Sequence, residues 1–234
     1  MAQIISFANQ KGGVGKSTAT LLAATALSQP PFSYDVVVVD IDPQQSISKR
    51  RSYDLDGHEA PLPYDVLTYD FATFTRQVKA LDKRYQIIFL DVPGKLDIPT
   101  EEERKKGKEE SEAIQALQYI DIVLVPVTPG NFGLDATLVY LKAVLTVQQQ
   151  RKDLRLVAFR NMHRERSRHG RQLAGELDEL AALTAVPVME AALKRYSDYE
   201  DADTLTTLYA PDSSSPARQN FTAWLDELHT LITK

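Results

Sequence analysis

The chain contains no cysteine among its 234 residues. That excludes disulfides, thiolate zinc sites and cysteine-ligated iron–sulfur clusters, and it is compatible with a reducing compartment. It also lacks any run approaching the roughly 18 to 20 uninterrupted apolar residues of a membrane-spanning helix. The opening residues, MAQIISFANQKGG, have neither a charged start nor a long apolar core. They read as a strand entering a glycine loop rather than as a signal peptide, so a cytoplasmic location is expected. Net positive charge is missing too. With 27 Lys plus Arg against 32 Asp plus Glu the formal balance is −5, so the average field does not favour DNA or anionic lipid. Contact with a polyanion then depends on a local basic patch.

What is present is an alternation of two patterns. Continuous apolar runs rich in β-branched residues predict buried parallel strands at Ile4–Ala8, Val36–Ile41, Ile87–Val92, Ile122–Val127 and Leu154–Phe159, with a short sixth at Val186–Met189. Between them, helical patterns cover Ser17–Ser28, Phe71–Asp82, Glu109–Tyr119, Leu134–Gln150 and Arg168–Leu183. An amphipathic helix, Phe221–Ile232 within a C-terminal segment 217–234, closes the chain. Such alternation implies right-handed βαβ units. The expected fold class is α/β, a mostly parallel twisted sheet flanked by helices on both faces, in a single domain over 1–234. The segment 95–111, KLDIPTEEERKKGKEES, is highly charged and reads as a solvated loop. PDSSSP at 211–216 reads as a turn-rich linker.

The chemistry-bearing stretch is NQKGGVGKST, residues 9 to 18. It follows a predicted strand and opens a predicted helix, the context that gives the pattern GxxxxGK[ST] its meaning as a phosphate loop. Gln10 stands where that pattern begins with glycine, and Lys11 and the Gly12-Gly13 pair accompany the departure. Gly12, Gly13 and Gly15, with Val14 between them, let the backbone turn its N–H groups inward, and the helix N-terminus adds partial positive charge. Lys16 then reaches the β- and γ-phosphates, the Ser17 hydroxyl is placed for Mg²⁺, and Thr18 for the α-phosphate.

Two acidic elements follow strands. Asp40-Ile41-Asp42-Pro43-Gln44 comes after Val36–Val39, and its two carboxylates share a face if the strand continues through them. Otherwise Asp42 suits a turn cap before Pro43. Asp91 follows Ile87-Ile88-Phe89-Leu90 and leads into Val92-Pro93-Gly94.

The box KGGVGKST resembles the deviant Walker A motif of the ParA/MinD family of ATPases. The resemblance extends to the DxDPQ element at Asp40–Gln44, the DxPG switch at Asp91–Gly94, Val125–Pro129 and the Asn161 region. It implies a P-loop NTPase fold, ATP with Mg²⁺ as cofactors, and a homodimer in the ATP-bound state. Lys11 is the family's signature lysine, which reaches across the dimer to the partner's phosphates. By the same resemblance Asp40 and Asp91 join Ser17 around the metal, Asp42 orients the attacking water, and Gly94 brings its N–H near the γ-phosphate. Asn161 reads the adenine edge, with backbone contacts from the loop near Val186-Pro187. An asparagine there also suits a cap for the next helix. No guanine-reading NKxD element is apparent, which favours ATP over GTP.

Between Arg160 and Arg171 the sequence RNMHRERSRHGR holds five arginines, two histidines and one acid. Arg164, Arg166, Arg168 and Arg171, with Lys194, Arg195 and Arg218 further on, form a candidate patch for non-specific DNA. The alternative is a solvated helix face paired with Glu176, Asp178 and Glu179. The ParA branch implies a partition ATPase associated with the nucleoid, whose hydrolysis is stimulated by a ParB-like or other cargo adaptor. Its cargo is a plasmid, a chromosome or a protein body such as a carboxysome. Other readings are MinD-like positioning on membranes and a metabolic P-loop ligase or kinase. Stable membrane association is not expected, because the polar side of the helix Phe221–Ile232 carries Asp226 and Glu227, with only Lys234 clearly basic at the end.

Overall fold

The computed structural model describes residues 1–57, 59–97, 99, 101–107, 109–129, 131–163, 175, 177–182 and 184–234. In chain order the first elements are β1 (Gln3–Phe7), α1 (Lys16–Leu27), β2 (Val36–Asp40), α2 (Ser46–Asp54), β3 (Asp65–Thr68), α3 (Phe71–Arg84) and β4 (Ile87–Asp91). Then come α4 (Glu101–Lys105), α5 (Glu112–Ala116), β5 (Ile122–Val127), α6 (Asn131–Gln150), β6 (Arg155–His163) and β7 (Leu193–Lys194). A one-turn helix, Ser197–Glu200, precedes the C-terminal helix Pro216–Thr233.

Successive residues of the strands bury on opposite faces of the sheet, so these runs are apolar throughout. Ile4, Val37, Val39, Ile88, Leu90, Val123 and Val125 face one core, closed by Phe71 and Phe74 of α3 and by Tyr140, Leu141 and Val144 of α6. Ile5, Phe7, Val36, Val38, Phe89, Leu124 and Phe159 face the other, closed by α1 and the C-terminal helix. The alanines at positions 19, 23, 24 and 26 let α1 lie close to the sheet. Phe221, Trp224, Leu225 and Leu228 anchor the last helix, and Trp224 packs against Phe7 and Phe159 with ring centroids 5.9 and 5.6 Å away.

The seven strands run in the order β3-β2-β4-β1-β5-β6-β7, and their pairings are parallel. From β1 the chain builds outward through β2 and β3, returns at β4, and crosses to the other side of β1 at β5. The order therefore reverses at β1, where a parallel sheet opens a crevice at the carboxyl ends of its strands.

The structure corrects several expectations. Val186–Met189 is not a strand; Val188 makes an isolated bridge to Ala158, and the seventh strand is β7. Glu109–Tyr119 contracts to α5, which Ser111 precedes as its cap position. Of Arg168–Leu183, residues 177–182 are helical, and 168–174 lie outside the described residues. The segment 95–111 is more than a solvated loop. Leu96 packs against the first core and Pro99 is buried. Asp97 N–H donates to Ser111 Oγ at 3.1 Å and Ser111 N–H to Asp97 O at 3.0 Å, closing the excursion at its base around α4. Among the described residues no helix is long and apolar enough to cross a membrane.

Candidate nucleotide-binding site

The phosphate loop leaves the sheet where β1 stops pairing. Ala8 N–H still donates to Leu124 O at 3.0 Å. One residue later the buried Asn9 amide donates to Pro126 O and to Thr137 Oγ1, both at 2.9 Å. This explains a proline inside a central strand. Pro126 lies on the β1 side of β5 after β1 has turned away, so its missing N–H has no ladder to break. Asn9 Oδ1 accepts from Lys11 N–H at 3.2 Å and turns the loop. Gly13 and Gly15 then adopt φ of 70° and 83°, the left-handed region that glycine enters at little cost. Gly15 is the N-cap of α1 and offers no side chain, which leaves the helix's first N–H groups facing the crevice.

That crevice is a cleft of about 740 Å³. Gln10, Gly12, Gly13 and Gly15–Thr18 form one wall, Asp42–Gln44 and Ser46 a second, and Pro93, Gly94 and Lys95 the third. Gly94 is pressed against the loop. A Cβ there would lie 3.2 Å from both Asn9 O and Lys16 Nζ.

Asp40 and Asp91 are paired across β2 and β4, and each is about 1% exposed or less. Asp91 Oδ2 accepts from Ser17 Oγ at 2.9 Å. Asp40 Oδ2 accepts from Ser48 N–H at 3.0 Å and Ser48 Oγ at 2.9 Å. The Oδ1 atom of each is buried without a partner among the described residues. Burial foremost, then the charge of Asp40, pushes Asp91 up to about 7; the Ser17 hydrogen bond opposes this. Burial likewise raises Asp40, against the two Ser48 donors. Two buried carboxylates with orphaned oxygens beside a hydroxyl form a hard oxygen set that fits Mg²⁺. No cluster of three or more metal-ligating His, Cys, Asp or Glu occurs among the described residues. The set therefore suits an ion that keeps water and takes further oxygens from a phosphate.

Asp42 departs from the expectation of a shared strand face. The strand ends at Asp40, and Pro43 has no N–H with which to resume the ladder. Asp42 instead turns into the cleft wall, where its Oδ1 accepts from Gln44 N–H at 2.9 Å. It thus combines the turn-cap geometry with a place in the cleft.

On the far side of Thr18 lies a recess of about 40 Å³, which Gly15, Asn161, Met162 and residues 193–196 line with Tyr199 and Glu200. Asn161 Nδ2 donates to Val14 O at 2.7 Å, and its Oδ1 accepts from Met162 N–H at 2.9 Å. Asn161 lies inside β6 and so caps no helix. It packs so closely that a Cβ on Gly15 would meet its Nδ2 at 2.5 Å. Val186-Pro187 is not the opposite wall. Ala158 N–H donates to Pro187 O at 2.9 Å, which draws that loop into the sheet, and residues 193–200 take its place.

Of the candidate DNA contacts, Arg164, Arg166, Arg168 and Arg171 lie outside the described residues. Lys194 and Arg195 line the recess, and exposed Arg195 Nε pairs with Glu200 at 3.2 Å. Arg218 is half-buried on the C-terminal helix. Lys11 is half-buried, is not among the residues that line the cleft, and makes no ion pair among the described residues. Sequence reasoning missed Asn9 and Ser48 as positioning residues. Asn9 sits inside the quoted motif, whereas Ser48 lies on a helix that no apolar periodicity announces.

Residues 5–204 match the family model described as the CobQ/CobB/MinD/ParA nucleotide binding domain. The uncharacterized protein MJECL24 of Methanocaldococcus jannaschii is 49% identical over 45 residues, 19% of this chain and 17% of that protein. The uncharacterized protein Rv1708 of Mycobacterium tuberculosis is 45% identical over 47 residues, 20% of this chain and 14% of that one. The match spans less than a fifth of either relative. Among solved structures, a plasmid partition protein of Borrelia burgdorferi bound to AMPPNP superposes with a TM-score of 0.72 at 16% identity, covering 99% of this chain and 100% of that one. The cobyrinic acid a,c-diamide synthase of Mycobacterium smegmatis with ADP and magnesium gives 0.69 at 18%, covering 100% and 96%. The ATP complex of a Cyanothece McdA variant gives 0.67 at 15%, covering 97% and 96%. At these identities the structural likeness carries the fold. The family pattern, in contrast, runs unbroken from β1 through the phosphate loop, both acidic strand ends and the recess, and the chain belongs to the CobQ/CobB/MinD/ParA nucleotide-binding family.

Proposed function

We propose that this chain is an ATP-driven partition or positioning ATPase that hydrolyses Mg²⁺-bound ATP to ADP and phosphate. The observation that carries the reading is the pair of orphaned carboxylate oxygens on buried Asp40 and Asp91, the latter hydrogen-bonded to Ser17, which lines the cleft that the phosphate loop shapes. When bound, Mg²⁺ supplies charge neutralisation and a template for phosphate oxygens; Ser17, Asp40 and Asp91 would hold it. Lys16 and the first N–H groups of α1 hold the phosphates, and Gly94 lets the β4 exit approach them closely. Asp42 faces the cleft as the residue that orients the attacking water. Asn161 and residues 193–200 form the seat for the base. Catalysis is then mainly positioning and charge neutralisation.

In the ATP-bound state two copies pair, with Lys11 of each serving the other's phosphates. The dimer holds DNA without sequence preference through Lys194, Arg195 and Arg218 with Arg164, Arg166, Arg168 and Arg171. A ParB-like or other cargo adaptor stimulates hydrolysis and release, which places the protein on the nucleoid in the cytoplasm. The likeness to a plasmid partition protein and to McdA supports this choice. The synthase likeness favours a second reading, a ligase that turns over only with a small-molecule acceptor.

Light scattering after size exclusion, with ADP or AMPPNP and with random duplex DNA at low salt, tests the reading. A dimer that binds DNA only with AMPPNP is expected. A monomer in both nucleotides that ignores DNA would exclude the partition mechanism. ATP turnover that appears only with an amide-forming acceptor would install the ligase instead.

A further inference from the structure

We propose that Lys95 is a second cation of the phosphate site in the same subunit, which reads the terminal phosphate and so distinguishes nucleoside triphosphate from diphosphate. The inference rests on the reading of the cleft as a nucleotide site. Of the described residues that line the cleft, three are charged: Lys16, Asp42 and Lys95. Lys16 stands on the phosphate loop, whereas Lys95 enters from β4 on the opposite wall. It follows Gly94, whose backbone is close enough to the loop that a Cβ would touch Lys16 Nζ and Asn9 O at 3.2 Å. The exit of β4 therefore carries Lys95 to the mouth of the loop, not to a distant rim.

Two further observations give it this role. Lys95 is exposed and has no ion pair among the described residues, so its ammonium is not committed to a structural partner. The residues after it are anchored rather than free to swing. Leu96 packs on the core, Pro99 is buried, and Asp97 and Ser111 exchange two hydrogen bonds at 3.0 and 3.1 Å. A tethered base point beside Gly94 and a free ammonium on a flexible stem suit a point-charge contact with a phosphate oxygen. On that reading the first N–H groups of α1 and Lys16 serve the phosphates from the loop side, Lys16 as far as the γ-phosphate. The outermost phosphate therefore gains from a charge on the β4 side.

Lys95→Met keeps the length and removes the charge; Lys95→Arg restores a charge. Calorimetric titration of each variant with Mg²⁺ and either ADP or AMPPNP reads the effect without turnover. Lys95→Met should weaken AMPPNP on the order of tenfold, the worth of one charge-assisted hydrogen bond. It should leave ADP within about twofold, and Lys95→Arg should recover most of the loss. Equal weakening of both nucleotides, or no change in either, would overturn the assignment. A folded wild type that binds neither nucleotide would sink the parent reading, and this one with it.

Discussion

At Gly94 the absent side chain lets the β4 exit lie against the phosphate loop. The added methyl of Gly94→Ala would press on a backbone oxygen and on the ammonium of Lys16, both 3.2 Å from the Cβ position. Asn9 cannot retreat easily, because its side chain is tied to β5 and α6. The strain falls on Lys16 and on the gap between the two walls. Gly94→Ala is expected to lower affinity for ADP and AMPPNP by about tenfold or more, the cost of a misplaced charge-assisted contact. Its melting temperature should move by only a few degrees, as for a small surface-cleft change. Titration with unaltered nucleotide affinity would show that the walls are free to part.

Asp91 makes a second prediction, with a definite sign. Its folded carboxyl holds a proton up to about pH 7, whereas the ordinary aspartate value is 3.8. Between those values the native state binds more protons than the unfolded one. The stability of the metal-free protein therefore falls as pH rises from about 4 to about 7, and then levels. Asp91→Asn removes that buried charge and its share of the slope, leaving the share of Asp40, which burial also raises. In EDTA the variant should melt on the order of 5 °C higher than the wild type at pH 8, and the gap should close toward pH 5. The stabilisation that Mg²⁺ and nucleotide give the wild type should be lost. Differential scanning calorimetry at the two pH values checks both halves, and a pH-independent gap would contradict the burial argument.

Among the elements, α2 links Asp40 to the segment around Thr204. Its Ser48 holds Asp40 through two hydrogen bonds. At its other end Asp54 accepts from Thr204 N–H and Thr204 Oγ1 at 2.8 Å each, and from Arg50 Nε at 3.0 Å. Asp54 is mostly buried in this arrangement, with its side chain 8% exposed. Asp54→Ala leaves the Thr204 donors without their acceptor, so it should cost about 1–3 kcal/mol. Urea unfolding followed by fluorescence measures this directly, because the single tryptophan, Trp224, is fully buried. A loss below the error of the midpoint would mean that water replaces Asp54 without penalty.

The elements also show where the sequence stops being informative. The central strands were legible to within a residue or two, because both faces are buried and the apolar runs are unbroken. β3 was not, since three half-buried residues and one exposed at a sheet edge leave no such run. α2 buries only Ile47 and Arg51, too few for a helical stripe, and α4 is made of charged residues. The strand–loop–helix setting of the phosphate loop and the strand-end positions of Asp40 and Asp91 were legible because those patterns are local. The Asn161–Val14 hydrogen bond joins residues 147 apart. Only the sheet order, in which β5 lies between β1 and β6, brings them together, and no local pattern records it.

At the scale of the whole molecule, Lys11 poses a question that one subunit does not answer. Its backbone N–H is fixed by Asn9 within the loop, yet the residue is absent from the lining of its own cleft and its ammonium has no ion pair among the described residues. A second copy related by a two-fold axis would present the same lysine to the first copy's cleft, since such an interface is self-complementary. Two acidic chains, each with formal charge −5, also repel in the absence of a bridging feature. On the proposed reading, triphosphates held between opposed lysines would supply one. Mixing two inactive variants separates service within a subunit from service between them. Lys11→Ala keeps Asp42, and Asp42→Ala keeps Lys11. In a mixed dimer the site on the Lys11→Ala subunit has its own Asp42 and receives Lys11 from the other copy, while the second site has neither. Random pairing of equal amounts should then restore about a quarter of wild-type ATP turnover, from half the dimers with one working site each. If Lys11 serves its own subunit, no pairing contains a complete site, and the mixture should stay as inactive as its parts.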